Sequence, residues 1–202
     1  MDLMNTIPVP APSKSEHTIP RSYPGLEGFS WMSYPELVSL ISQLPLEGLF
    51  VEVGSASGVT AALIATARPQ LTIHCLDTFF QPKENLSAAE KITDRKSHWE
   101  KNLLTHPNAH LMESAFGEYI DMYPLSRPSH VLIDGDHSAD GVTADLKDLS
   151  IIMPDVFFAH DYGDATWTAV KPAVDEFCRD HGYQIVNLCH SLVTCQRMIF
   201  DL

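Results

Sequence analysis

The run His130-Val131-Leu132-Ile133-Asp134-Gly135-Asp136-His137 passes from apolar residues straight into three ionisable side chains. Val156-Phe157-Phe158-Ala159-His160-Asp161-Tyr162 repeats the pattern, with Asp161 27 residues beyond Asp134. Carboxylates brought together at low solvent exposure repel one another, and holding them there is costly unless a cation is shared. Asp134, His160 and Asp161 are therefore candidate metal ligands, with Asp136 nearby. Oxygen donors with one imidazole suit a divalent ion, magnesium first and manganese next. Zinc is expected with thiolates, and Cys75, Cys178, Cys189 and Cys195 form no CxxC pair. His137, three residues past Asp134, is the candidate catalytic group, an imidazole able to take a proton near neutral pH.

A second constellation is Phe50-Val51-Glu52-Val53-Gly54-Ser55-Ala56-Ser57-Gly58. Gly54 can turn the chain at positive φ. Ser55, Ala56 and Ser57 are small enough for a ligand to approach the backbone, and Gly58 allows close packing at a helix start. A dinucleotide site would show G-x-G-x-x-G. Here the glycines are four apart, and Glu52 precedes the first by two. Glu52 repels a pyrophosphate and attracts an ammonium group, so the pattern favours a ligand that carries an amino acid over NAD. Asp77 lies 19 residues past Gly58, where an acid binds a ribose diol in folds of this type.

These residues must be positioned by elements. Apolar runs at Leu49–Val53, Leu71–Leu76, Ala109–Met112, His130–Ile133 and Val156–Ala159 read as strands, and Tyr183–Leu188 with Val193–Phe200 as a closing pair. Helices are expected at about Tyr34–Gln43, Val59–Ala67 and Ala139–Leu149, and in a segment that ends near His181-Gly182. Such alternation predicts an α/β, Rossmann-like doubly wound fold: a mostly parallel seven-stranded sheet with an antiparallel last strand. In these sheets ligands sit beyond the C-terminal strand ends. That edge is where Glu52, Asp77, Asp134 and His160 fall. Residues Phe80–Leu104, polar with Trp99 as anchor, read equally as a crossover helix or as part of a lid.

A chain of 202 residues, 45% of them hydrophobic, fits one domain, residues 29–202, behind a Pro-rich arm at 1–28 with Pro8, Pro10, Pro12, Pro20 and Pro24. The arm reads as an extended or disordered segment or as a strap over a neighbouring surface, and it is a candidate surface for homo-oligomer contacts. A net charge of −13 argues against nucleic-acid and anionic-membrane partners. No run approaches the roughly 18 apolar residues of a membrane span, and the N-terminus shows no secretory pattern. The expectation is a cytoplasmic protein with reduced thiols, Cys75 in its core.

With these motifs in place, residues from about 48 to 200 resemble class I S-adenosylmethionine-dependent methyltransferases. Within that class they are similar to the macrocin and mycinamicin sugar O-methyltransferases and the cephalosporin hydroxylase-like group, and more distantly to catechol O-methyltransferases. The matching stretches are Val51–Gly58, Leu76-Asp77-Thr78-Phe79, Ile133–Ser138 and Ala159–Tyr162. The resemblance implies that Glu52, Gly54, Ser55 and Gly58 hold the methionine end of the cofactor, Asp77 and Thr78 its ribose, and Glu113 and Ser114 its adenine. Asp134 would border cofactor and metal. Asp134 and Asp161 would ligate a divalent ion, and His137 would be the base. His160 stands where those relatives carry Asp or Glu, and Ala56 replaces a common glycine. The implied reaction is methyl transfer to the hydroxyl of a small-molecule acceptor, sugar or phenol-like. Three readings compete: a metal-dependent glycosyltransferase with Asp134-Gly135-Asp136 as its DxD motif, a non-catalytic cofactor-binding domain, and a methyltransferase with a vestigial metal site whose acceptor is a nitrogen or a carboxylate.

Overall fold

The structure, a computed structural model, describes residues 21–79 and 95–198. The arm before Arg21, the insertion from Phe80 to residue 94 and the end of the chain at Phe200 lie outside them.

Seven strands form one sheet: β1 (Glu47–Val53), β2 (Gln70–Leu76), β3 (Ala109–Met112), β4 (His130–Ile133), β5 (Val156–Ala159), β6 (Tyr183–Cys189) and β7 (Leu192–Arg197). Their order is β3-β2-β1-β4-β5-β7-β6. Every pairing is parallel except those of β7 with β5 and β6. This is the mostly parallel sheet with an antiparallel last strand that the residue pattern predicts. The strand order reverses between β1 and β4, the place where doubly wound sheets open a crevice.

Among the described residues, six helices cover the sheet: α1 (Tyr34–Gln43), α2 (Val59–Ala67), α3 (Arg95–Leu103), α4 (Phe116–Met122), α5 (Ala139–Ile152) and α6 (Val170–His181). The strands bury side chains on both faces, as parallel strands between helix layers must. Val51, Val131, Phe157 and Cys195 pack with residues of α4, α5 and α6. Their alternates Phe50, Ile73, Leu132 and Phe158 pack with residues of α1, α2 and α3. Ser33 caps α1, with Pro35 in the first turn and Glu36 completing a capping box. Ser138 caps α5, and Gly182 ends α6 at φ 71°. Residues 95–103 of the insertion form α3, which buries Trp99 at 5% exposure.

The backbone before α1 is fastened down. Arg21 pairs with Ser30 across a short antiparallel bridge. The buried Asn102 side chain of α3 accepts from Glu27 N at 2.8 Å and donates to Glu27 O and Ser57 O at 2.7 and 2.8 Å. Tyr23 and Leu26 rest on the core, and Met32 is fully buried.

Register matters most for the site. Val53 stands beside Leu76 and Ile133, and Ile133 beside Ala159. Four neighbouring strands thus end level. The pairing runs one residue further through Gly54 N to Leu76 O, Asp134 N to Val53 O and His160 N to Ile133 O. Gly54, Asp77, Asp134 and His160 leave the sheet as a row.

Candidate functional site at the C-terminal edge of the sheet

The β4 and β5 ends bring Asp134, His137, His160 and Asp161 together, with one donor atom from each inside a sphere of contacts no longer than 4.8 Å. His160 Nδ1 lies 3.1 Å from Asp134 Oδ1 and 3.5 Å from Asp161 Oδ2. His137 Nε2 lies 3.0 Å from Asp161 Oδ2 and 3.3 Å from Asp134 Oδ1. Neither His137 contact has the alignment of a hydrogen bond. Asp161 adopts φ 58°, a left-handed conformation that Asp tolerates better than most residues, and it turns its carboxylate toward β4. Burial alone would lower both imidazole pKa values, but the Asp134 and Asp161 carboxylates outweigh it. They raise His137 to about 9 and hold His160 well above its ordinary value. Asp161 is held well below the carboxylate range; burial opposes this, and the two imidazoles outweigh it.

His137 therefore joins the candidate ligands, a place the spacing did not assign to it. Its ring stacks on Trp167 with centroids 5.0 Å apart. Asp136 leaves the group. Its oxygens accept from Ser138 N and Oγ at 2.9 Å, and its side chain lies against Gly141 in the first turn of α5. The residue pair of the DxD reading is thus split, with one acid facing the site and one bonded to Ser138, the residue that caps α5.

Sequence reasoning missed Glu36. It is 0% exposed and stands behind His160, with Oε2 3.7 Å from Nε2, an ion-pair distance rather than a hydrogen bond. Oε1 accepts from Ser191 N and Oγ at 2.9 and 2.8 Å, and Oε2 from Ser33 N at 2.7 Å. The Ser33-x-x-Glu36 capping box was visible in the sequence. Its reach to a strand turn 155 residues away was not.

The glycine turn is built as a compact support. Gly54 has φ 90°, and a Cβ there would sit 2.1 Å from the Asp134 carbonyl oxygen. Gly58 has φ 72°, with the Trp99 indole 2.8 Å from a Cβ. Gly54 N and Ser55 N donate to Leu76 O, Gly58 N to Ser55 O, and Ala56 N to Asp77 Oδ2 at 2.7 Å. With four amides spent internally, the turn is no phosphate cradle, in keeping with the exclusion of a dinucleotide. Asp77 also accepts from Phe79 N through Oδ1 at 2.6 Å. Burial raises its carboxyl above the ordinary value against these amides. Both oxygens keep lone pairs for hydroxyl donors.

Glu52 is 2% exposed, and its Oε2 has no hydrogen-bond partner among the described residues. Burial first, then the nearby Asp134 and Asp77 carboxylates, push it up to about 8 against the bond from Ser55. A buried carboxyl with an unsatisfied oxygen beside two others can ionise to receive a cation such as an ammonium group. Ser114 Oγ at the end of β3 is likewise buried without a partner. Thr78 and Glu113 are exposed, and Glu113 pairs with Lys96.

A family model described as a methyltransferase domain matches residues 51–162, from the glycine turn through both acid–histidine ends. Several solved structures share the fold. A precorrin-6y C5,15-methyltransferase from Geobacter metallireducens is 18% identical with a TM-score of 0.58, over 80% of this chain and 87% of that one. A TDP-rhamnose 3'-O-methyltransferase of calicheamicin biosynthesis is 12% identical with a TM-score of 0.51, over 79% and 75%. The fibrillarin of Aeropyrum pernix, with natively bound S-adenosyl-L-methionine, is 13% identical with a TM-score of 0.53, over 79% and 72%. No curated protein matches the chain.

Proposed function

The chain belongs to this family of methyltransferase domains, and on that premise we propose that it transfers the methyl group of S-adenosylmethionine to a hydroxyl of a small molecule, sugar or phenol-like, with help from a divalent ion. The observation that carries the reading is the pairing of two receptors on adjacent strands. The orphaned Glu52 carboxyl lies inside the β1 end, and the Asp134–His137–His160–Asp161 cluster lies at the β4 and β5 ends.

S-adenosylmethionine supplies an electrophilic methyl group on a sulfonium. Glu52 would hold its ammonium group, and Asp77 with Thr78 would offer acceptors to the ribose. Gly54 and Ser55 let β1 and β4 approach closely enough for Asp134 to border both receptors. Ser114 and Glu113 fall on the far side of β2, where the adenine would lie. A divalent ion supplies Lewis acidity that lowers the pKa of a hydroxyl beside it. The donor set fits one, and Asp134, Asp161, His160 and His137 would hold it. Of the two imidazoles, His137 is the more exposed, at 19% against 2% for His160. Asp134 and Asp161 hold a proton on His137 up to about pH 9, so it can serve as base or as ligand once an ion takes up those carboxylates, and metal affinity separates the two roles. Positioning the oxygen in line with the methyl group supplies most of the remaining gain.

The net charge of −13 supports a small acceptor over a nucleic acid or an anionic membrane. Among the described residues no helix is long and apolar enough to cross a membrane, and the four cysteines are unpaired. Both fit the cytoplasmic setting we propose. The reading is tested by measuring S-adenosylhomocysteine formation against a panel of sugars and phenols. Asp134→Ala and Asp161→Ala should remove turnover at least about 100-fold while cofactor binding stays measurable. Full turnover of both variants in EDTA contradicts metal assistance and leaves cofactor use standing.

A further inference from the structure

We propose that the ion site is a four-donor set, His137 and His160 with Asp134 and Asp161, in which Glu36 orients His160, and that it selects an ion of the first transition row or zinc over magnesium. This rests on the metal-assisted reading above and replaces its magnesium with a different class of ion.

Three observations carry it. First, the donors are mixed. Two imidazole nitrogens and two carboxylates converge within 4.8 Å. Magnesium prefers an all-oxygen octahedron and keeps several waters, whereas imidazole donors favour iron, cobalt, nickel, copper or zinc.

Second, a buried carboxylate stands behind the His160 ring at ion-pair distance, placed to orient the ring as carboxylates behind metal-binding imidazoles do. Glu36 is pinned by three hydrogen bonds from Ser33 and Ser191 and lies on the Nε2 side. Nε2 faces that carboxylate, and Nδ1 faces Asp134 and Asp161. Nδ1 is hydrogen-bonded to Asp134 Oδ1 at 3.1 Å and lies 3.5 Å from Asp161 Oδ2, so a cation that displaces this proton meets the ring nitrogen and both carboxylates at once.

Third, His137 Nε2 is buried within 3.0 and 3.3 Å of the same two carboxylates without hydrogen-bond alignment. Atoms that point at a common centre rather than at one another have this geometry. Trp167, stacked on the ring, limits its rotation.

The test uses the full chain, stripped of metal with chelator and titrated separately with Co²⁺, Zn²⁺ and Mg²⁺ by calorimetry, with the visible spectrum of the Co²⁺ form recorded. One equivalent of Co²⁺ and of Zn²⁺ should bind at least about 100-fold tighter than Mg²⁺. Intensified visible bands should report nitrogen donors in a distorted site. His137→Ala should weaken Co²⁺ by at least about tenfold and change the spectrum. Glu36→Gln should weaken it roughly 10- to 100-fold. Because Glu36 also caps α1, Ser191→Ala, which removes one of its anchors, should give a smaller loss in the same direction. Mg²⁺ binding as tightly as Co²⁺ overturns the proposal. So does a His137→Ala variant with unchanged Co²⁺ affinity and spectrum but lost turnover, which makes His137 the base and keeps the proposed reaction. Failure of every ion to bind, with S-adenosylhomocysteine still bound, overturns the metal site and leaves the methyltransferase reading intact.

Discussion

Glu52 stands two residues before the glycine turn, buried, with one oxygen unpartnered. Its folded pKa of about 8 lies above the ordinary 4.5, so the folded state binds this proton more tightly than the unfolded chain does. Its contribution to stability is full below pH 4.5 and is lost as pH rises through about 8. Thermal melts from pH 5 to 9 should show the wild type losing stability relative to Glu52→Gln, and parallel curves would refute a buried titrating carboxyl. This residue was legible from its type and its distance to Gly54. Glu36 was not, because a capping box explains a glutamate fully until the tertiary fold brings Ser191 and His160 to the same carboxylate. His137 was legible as chemistry but not as a neighbour of Asp161 and His160, since spacing cannot say which way an imidazole turns after Gly135. Asp161 sits at φ 58°. Asp161→Asn keeps a side chain that tolerates this conformation and should melt like the wild type while losing Co²⁺ affinity at least about tenfold. A clear loss of stability would mean that the carboxylate serves the fold first.

At the scale of elements, the glycine turn acts through its neighbours. A Cβ on Gly54 would meet the Asp134 carbonyl oxygen at 2.1 Å, and φ is 90°. Gly54→Ala must displace the β4–α5 turn that carries Asp134 and His137. It should cost about 2 kcal/mol or more of stability and reduce binding of both cofactor and ion. Urea unfolding and calorimetry on one sample check this, and a variant of normal stability and affinity would remove the link between the turn and the cluster. Strand ends were readable because apolar runs stop at glycine, acids or histidine, and helices because apolar residues recur on one face; the caps Ser33 and Ser138 mark the same helix starts in the structure. The helix α4 was missed, since seven residues with Gly117 inside give too short a period to recognise. Within the insertion, residues 95–103 form a crossover helix seated on Gly58 through Trp99.

At the scale of the molecule, the two layers and the level strand ends make one edge of the sheet polar while both faces stay apolar. The topology followed from alternation of strand and helix. The prolines of residues 1–28 left an extended or disordered arm and a strap over a neighbouring surface both open, and the structure shows Asn102 binding Glu27 and Ser57 together. Asn102→Ala leaves those backbone groups unpartnered and should destabilise the chain by about 1–3 kcal/mol. Hydrogen exchange should quicken across residues 21–30, and unchanged protection there would show that the strap is held by other contacts.

The account turns on S-adenosylmethionine binding where β1 and β4 part, and calorimetric titration of S-adenosylhomocysteine into the wild type, Glu52→Gln and Asp77→Ala tests this most directly. The account predicts one site, weakened roughly 10- to 100-fold in each variant, as expected when a charge-assisted bond is lost. No binding to the wild type, or equal binding to all three proteins, would contradict it.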